Sequence, residues 1–216
     1  MNDENAPPKI SWNGGALLAP VPPVLVTCGT LEKPNVFTVA WTGICCTHPP
    51  MTYIAVRPSR FSYDIISESG EFALNLPTTA LAKSVDFCGV RSGRDLDKFA
   101  ACGLHPVSSG FGSAPILAEA PVSLSCKVTQ VIRLGSHDMF LAEIIGVSAD
   151  AKLVDSKGKL NLQQSGLLAY AHGEYFALGR KCGDFGFSVR KKSKKKHKKQ
   201  NGMHPAQARR PSSEKE

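Results

Sequence analysis

The chain has 216 residues, 42% of them hydrophobic, and a formal net charge of +8. That length suits one domain with tails, and that hydrophobic share can fill a core. The charge suggests a nucleic-acid binder only until it is divided: residues 190–216 carry eleven Lys/Arg and two Glu, while residues 1–189 come to −1. The basic character belongs to a tail and not to the body.

Seven cysteines, at 28, 45, 46, 88, 102, 126 and 182, form no CxxC pair. Cys45 and Cys46 are neighbours, which on a strand point to opposite faces. An odd count without spacing reads as reduced thiols and not as a disulfide framework. The N-terminus MNDENAPPKI lacks the basic patch and apolar core of a signal peptide. No apolar run reaches the ~20 residues of a spanning helix. A cytoplasmic protein without a membrane span is expected.

Residues 1–19 read as an irregular lead-in. From Val21 the chain turns β-rich, with PPVLVTCGT (22–30), VFTVAWTGICC (36–46) and MTYIAVRP (51–58). Each run is rich in Val, Ile, Thr and aromatics and is bounded by Pro, Gly or Asn. SRFSYDIISESG (59–70) reads as a short helix closed by Gly70. EFALNLP (71–77) is a strand stopped by Pro77. TTALAKSVDF (78–87) is a helix with Thr78 or Thr79 as N-cap and Leu81, Ala82 and Val85 on one face.

SGRDLDKFAACG (92–103) reads as a third short helix, with Ser92 and Asp95 resembling a capping box. A loop rich in Gly, Ser and Pro follows at 106–115. VSLSCKVTQVI (122–132) alternates Val122, Leu124, Cys126 and Val128 against Ser123, Ser125, Lys127 and Thr129, the pattern of a half-buried strand. HDMFLAEIIGVSA (137–149) is its antiparallel partner through Leu134–Ser136, and Gly173–Leu178 gives a last strand. No regular βαβ alternation occurs, so an antiparallel barrel with helices outside fits better than a doubly wound sheet. Residues 190–216 have almost no apolar side chains and are expected to be disordered.

Familiar motifs are missing. GFGSAP at 110–115 puts Pro where a dinucleotide fingerprint has its third Gly, and there is no GxxxxGK[ST], HExxH or GxSxG. Four stretches carry polar groups in patterns suited to a ligand. In VRPSRFSYDII (56–66), Arg57, Ser59, Arg60, Ser62 and Tyr63 sit where a strand gives way to a helix. A helix start presents unpaired N–H groups, and arginines beside it suit a phosphate; plain capping by Ser59 is the alternative. In FCGVRSGRDLDKF (87–99), glycines permit a close backbone approach ahead of Lys98, or make only a tight helix–loop–helix joint.

Asn35, Thr38, Trp41, Thr42 and Cys45 interrupt an otherwise apolar run. They could line the rim of a flat ring system, or be a sheet's wet face. His172 and Tyr175, in YAHGEYFALG, could meet a nicotinamide, or lie on a surface turn. No cysteine spacing supports a metal, and no catalytic acid or base stands out.

Six segments in register resemble the flavin reductase-like family with the FMN-binding split barrel, and within it the flavoredoxin branch. They are NVFTVAWTG with Pro49-Pro50, R-x-x-R-x-S-Y at 57–63, GEFALNLP at 70–77, DFCGVRSGRDLDKF at 86–99, LGSHDMFLAEIIGV at 134–147 and YFALGRKCGDFGFSV at 175–189. The resemblance covers residues 17–189, leaving 1–16 as lead-in and 190–216 as tail. It implies a mainly β fold, a six-stranded antiparallel split β-barrel of Greek-key type with short flanking helices, and a homodimer with one FMN per subunit.

It further implies that Asn35, Thr38, Val39, Ala40, Trp41, Thr42 and Cys45 meet the isoalloxazine. Arg57, Ser59, Arg60, Phe61, Ser62 and Tyr63 would hold the phosphate, and Cys88, Gly89, Ser92 and Lys98 would approach the same flavin. The chain departs from the family pattern with Ser62 where Thr is frequent, Arg180-Lys181 where an acidic residue often follows Leu-Gly, and the basic tail.

The expected activity is an FMN-dependent oxidoreductase taking electrons from NAD(P)H or a redox partner protein and passing them to a flavin, ferric iron or a small acceptor. A non-catalytic FMN electron carrier is the alternative. Nucleic-acid binding through KKSKKKHKK is a third, expected to be weak because no aromatic side chain accompanies the lysines.

Overall fold

The computed structural model describes residues 7–190. The described residues divide between two units, one ending at Gly179 and one beginning at Arg180. The first unit contains β1 (Val24–Gly29), β2 (Pro34–Val39), β3 (Thr42–Thr47), β4 (Pro50–Val56), α1 (Phe61–Ser69), β5 (Glu71–Leu76), α2 (Ala82–Val90) and α3 (Lys98–Cys102). There follow β6 (Pro106–Val107), β7 (Ile116–Leu117), β8 (Val122–Arg133), β9 (Asp138–Ala149), β10 (Leu168–Ala171) and β11 (Glu174–Ala177). In the second unit the described residues make a short 3-10 turn at Phe187–Val189 and a Lys181–Asp184 ion pair at 2.5 Å. The Lys-rich stretch from Lys191 onward lies outside the described residues.

The main sheet has seven strands in the order β2-β1-β5-β8-β9-β4-β3, all neighbours antiparallel. The expected count of six is corrected, because VFTVAWTGICC is two strands. After Val39 the chain leaves β1, the Trp41 carbonyl accepts from Ala55 N at 2.9 Å, and pairing continues against β4. Hydrophobic alternation runs through this exchange of partners and does not mark it.

The exchange closes the sheet. β2 and β3 are its two edges, roughly 29 Å apart if it were flat. Yet only Ala40 and Trp41 join them, and three Cα steps span at most about 11 Å. The sheet must therefore curl until its edges approach. Its interior holds Val24, Val26, Phe37, Val39, Ile54, Val56, Phe72, Phe140 and Ile66 of α1.

A second apolar layer lies on the outer face of β1 and β2. Leu25 and Val36 meet Val85 and Cys88 of α2, Phe99 of α3, Leu117 of β7 and Leu168 of β10. Ser123 and Ser125 are buried, at 1% and 3% exposure, where alternation had implied a wet face. Ser123 Oγ donates to Asn75 Oδ1 at 2.8 Å, and Asn75 Nδ2 donates to Leu25 O and Thr27 Oγ1, both at 2.9 Å.

The helices are shorter than their sequence patterns. A 3-10 turn at Thr79–Leu81 precedes α2, and Thr78 makes no side-chain cap bond. α3 begins only at Lys98, capped by Asp97, whose Oδ1 accepts from Phe99 N at 2.9 Å and Ala100 N at 3.2 Å. Ser92, expected to cap that helix, instead accepts from Arg94 N at 3.2 Å in the preceding turn.

Candidate functional site

Three segments meet over the barrel's closing edge: the end of β2 with Ala40 and Trp41, the β4–α1 junction, and the turn from α2 to α3. Between them lies a cleft of about 240 Å³. Its walls include Arg57, Ser59, Arg60, Phe61, Ser62, Cys88, Gly89, Arg91, Ser92, Arg94 and Lys98, and no carboxylate is among them. Five cations without a counter-charge make a strong attractive field for an anion.

The start of α1 adds to that field. Arg60 is its N-cap, with φ −74° and ψ 139°, and no side chain bonds the first-turn amides. Ser59 therefore does not cap the helix. Its carbonyl accepts from Arg94 Nη1 at 3.1 Å, and the Arg94 guanidinium lies 5.4 Å from the Phe61 ring centre. An uncapped helix start flanked by guanidinium groups suits a phosphate.

Lys98 lies in the floor, 4% exposed. Its Nζ donates to the Cys88 and Arg91 carbonyls, both at 3.3 Å, at the end of α2. Burial holds its pKa below the ordinary lysine value of 10.5. A buried ammonium with only carbonyl partners gains from a nearby anion.

A second hollow, of about 380 Å³, continues from the first. The two share Phe37, Thr38, Arg57 and Arg60, so they form one groove. Here the wall is Val39, Ala40 and Trp41 with Ala55, Val56, His137 and Tyr170. β2 pairs only with β1, so its outer row of backbone N–H and C=O groups has no strand partner. Such a row can bond the heteroatoms of a flat polar ring, while Trp41 and Tyr170 supply apolar surface. Burial, then Arg57 and Arg60, lower the His137 pKa from the ordinary histidine value.

Several expected residues support the groove from behind. Asn35 is buried and donates through Nδ2 to Ser62 Oγ at 2.7 Å, fixing the start of α1. Thr38 Oγ1 donates to Val85 O at 2.5 Å, tying β2 to α2, so it is the backbone of Thr38 that remains available. The groove does not include Thr42, Cys45 or Tyr63. Thr42 Oγ1 donates to Tyr53 O at 2.6 Å, and Cys45 is exposed on β3. Tyr63 donates to Asp138 Oδ2 at 2.6 Å, which raises the phenol's pKa.

Neither residue of the expected nicotinamide pair lines the groove. His172, at φ 50°, lines an adjoining hollow that shares Trp41 and Tyr170 with the groove. Tyr175 Oη donates to Asp86 Oδ1 at 3.4 Å, and burial is the main cause of its pKa being pushed up to about 12. Phe37, Arg91, Arg94, His137 and Tyr170 also line the groove, beyond the residues expected from sequence. Arg91 and Arg94 lie inside the quoted 87–99 stretch, where their charge alone was a usable signal.

A groove with a cationic, carboxylate-free end and an edge-strand end fits a cofactor that has a phosphate arm and a flat heteroaromatic ring. Comparisons with known proteins agree. The family model described as "Flavin reductase like domain" matches residues 17–179. A protein of Archaeoglobus fulgidus is 32% identical over 144 residues, 67% of this chain and 81% of that protein. FMN reductase (NADH) RutF of Pseudomonas syringae pv. syringae is 26% identical over 108 residues, 49% of this chain and 58% of that protein. Flavoredoxin of Desulfovibrio vulgaris (Miyazaki F) superposes with a TM-score of 0.78 at 30% identity, covering 84% of this chain and all of that one. With its match across three segments that build one groove, this chain belongs to the flavin reductase like domain family.

Proposed function

We propose that the protein is an FMN-dependent oxidoreductase. It takes electrons from NAD(P)H or a redox partner protein and passes them to a flavin, ferric iron or a small acceptor. The observation that carries this reading is the continuity of the groove, from five cations with no carboxylate to the unpaired edge of β2. The likeness to the Pseudomonas relative, FMN reductase (NADH) RutF, supports the choice of cofactor and donor. Bound FMN would supply the electron and hydride chemistry.

The chain's own residues bind and orient. Arg57, Arg60, Arg91, Arg94 and Lys98, with the start of α1, would hold the phosphate. The backbone from Thr38 to Trp41 would meet the ring edge, and Trp41 and Tyr170 would exclude water beside it. We place the active form as a homodimer, supported by exposed apolar side chains such as Ile44 of β3 and Val147 of β9, 63% and 54% exposed. No helix of the described residues is long and apolar enough to cross a membrane, consistent with a cytoplasmic site of action.

An anaerobic visible spectrum of the purified protein, before and after NADH, tests this. Flavin bands that bleach with NADH support the reductase. Bands that persist with NADH and bleach with dithionite favour an electron carrier on the same groove. A protein that stays colourless after addition of FMN overturns the reading.

A further inference from the structure

Cys88 of α2 and Cys102, the last residue of α3, bring their sulfurs to 4.0 Å. Both belong to the outer apolar layer, and nothing separates one thiol from the other. Cys88 is 1% exposed, whereas Cys102 is half-buried. A disulfide needs about 2.05 Å between sulfurs, so closure asks for a side-chain rotation and a small approach of α3. That helix has five residues and ends at Gly103 with φ 62°, so closure moves one short element, held by Phe99 in the outer layer and by Lys98 on the α2 carbonyls.

We propose that Cys88 and Cys102 are a dithiol–disulfide pair oxidised by a hydroperoxide, and that closing the disulfide weakens the anion end of the groove. Cys102, the accessible thiol, attacks the terminal peroxide oxygen. The O–O bond breaks, an S–O bond forms, and the Cys102 proton leaves with the departing oxygen as alcohol or water. Cys88 Sγ then attacks the sulfenic sulfur. The S–O bond breaks, the S–S bond forms, and the Cys88 proton leaves with the hydroxyl as water. Two electrons pass from the thiols to the hydroperoxide. Burial keeps the Cys88 pKa up at about 12, so Cys88 stays a thiol until the sulfenic acid lies beside it.

The link to the groove is geometric. Cys88 lines the anion end, and its carbonyl accepts from Lys98. Lys98 and Cys102 are the two ends of α3. Drawing Cys102 onto Cys88 shifts α3 and disturbs the seat of Lys98 on the α2 carbonyls. This second half rests on the flavin reading of the groove; the disulfide does not.

The test uses the full chain carrying Cys45→Ser, Cys46→Ser and Cys182→Ser, which removes the more accessible thiols outside the pair. The protein is treated with tert-butyl hydroperoxide with and without FMN, blocked with an alkylating agent and mapped by peptide mass spectrometry. The expected result is a Cys88–Cys102 linked peptide, reversed by dithiothreitol and absent once Cys102→Ser is added. The Kd for FMN should rise about tenfold on oxidation, the loss of one charge-assisted contact, and return on reduction. Recovery of both residues as free thiols, or of Cys102 as an unlinked sulfinic acid, overturns the pair. A linked peptide with unchanged FMN affinity overturns the coupling. Failure of the reduced protein to bind FMN would instead sink the flavin reading, while the linked peptide still decides the pair.

Discussion

Arg60 caps α1 through its backbone alone, and its exposed side chain lines both halves of the groove. Arg60→Ala should raise the Kd for FMN about 10- to 100-fold, as for one charge-assisted bond. Its melting temperature should stay near wild type because the side chain is exposed; flavin fluorescence titration and a thermal melt check the two halves. Lys98 predicts a pH effect. Its pKa is lowered, so it loses its charge as pH rises through a value below 10.5. FMN affinity should fall across that window, and Lys98→Met should abolish the step in a titration of Kd against pH. Stability moves the other way there. The unfolded chain binds the extra proton in that window, so folding is favoured as pH rises through it.

Single contacts between elements decide whether the site forms. Gly93 lets the α2–α3 turn pass against β2 and α1: a Cβ there would lie 2.3 Å from Asn35 Oδ1 and 3.0 Å from the Phe61 ring. Asn35 is buried and bonded to Ser62, so it cannot move aside cheaply. Gly93→Ala should destabilise by about 1–3 kcal/mol and weaken FMN binding together, read by denaturant unfolding and titration. Asn75 is the corresponding device in the outer layer. It bonds Leu25, Thr27 and Ser123, and accepts from Leu117 N at 2.8 Å, joining β1, β5, β7 and β8. Asn75→Leu would strand these buried groups, and chemical denaturation should show a loss on the order of 3 kcal/mol.

For the molecule as a whole, the groove exists because the sheet closes. β2 supplies one wall and β4 another, and only closure through Ala40 and Trp41 brings these non-neighbours together. The body, near neutral in charge, carries every groove residue, while the tail carries the positive excess. Truncation after residue 189 should leave the Kd for FMN unchanged, and any weak salt-sensitive binding to RNA or DNA in a filter or anisotropy assay should be lost with the tail. Sedimentation of the full chain should give twice the 23.1 kDa subunit mass.

Periodicity, turn residues and charge placement were enough to read β1, β4, α1, β5 and the β8–β9 hairpin, because each rests on neighbours in the chain. The same local information exposed the polar stretches at 35–42, 57–63 and 88–98, and the division between a neutral body and a basic tail. It could not show that 36–46 changes partner at Ala40, since one alternating run serves two strands equally well. Nor could it show that Ser123 and Ser125 are buried: Ser123 bonds Asn75 of β5, which also holds Leu117 of β7, and that meeting of elements is not visible in one strand's alternation. Thr38 and Thr42 looked alike as polar interruptions, yet one backs the groove and the other bonds a carbonyl of β4. His137 and Tyr170 entered the site only because distant segments fold onto one edge. Local chemistry names candidate side chains; which of them share a groove is set by long-range packing, and that information lies in no single window of the chain.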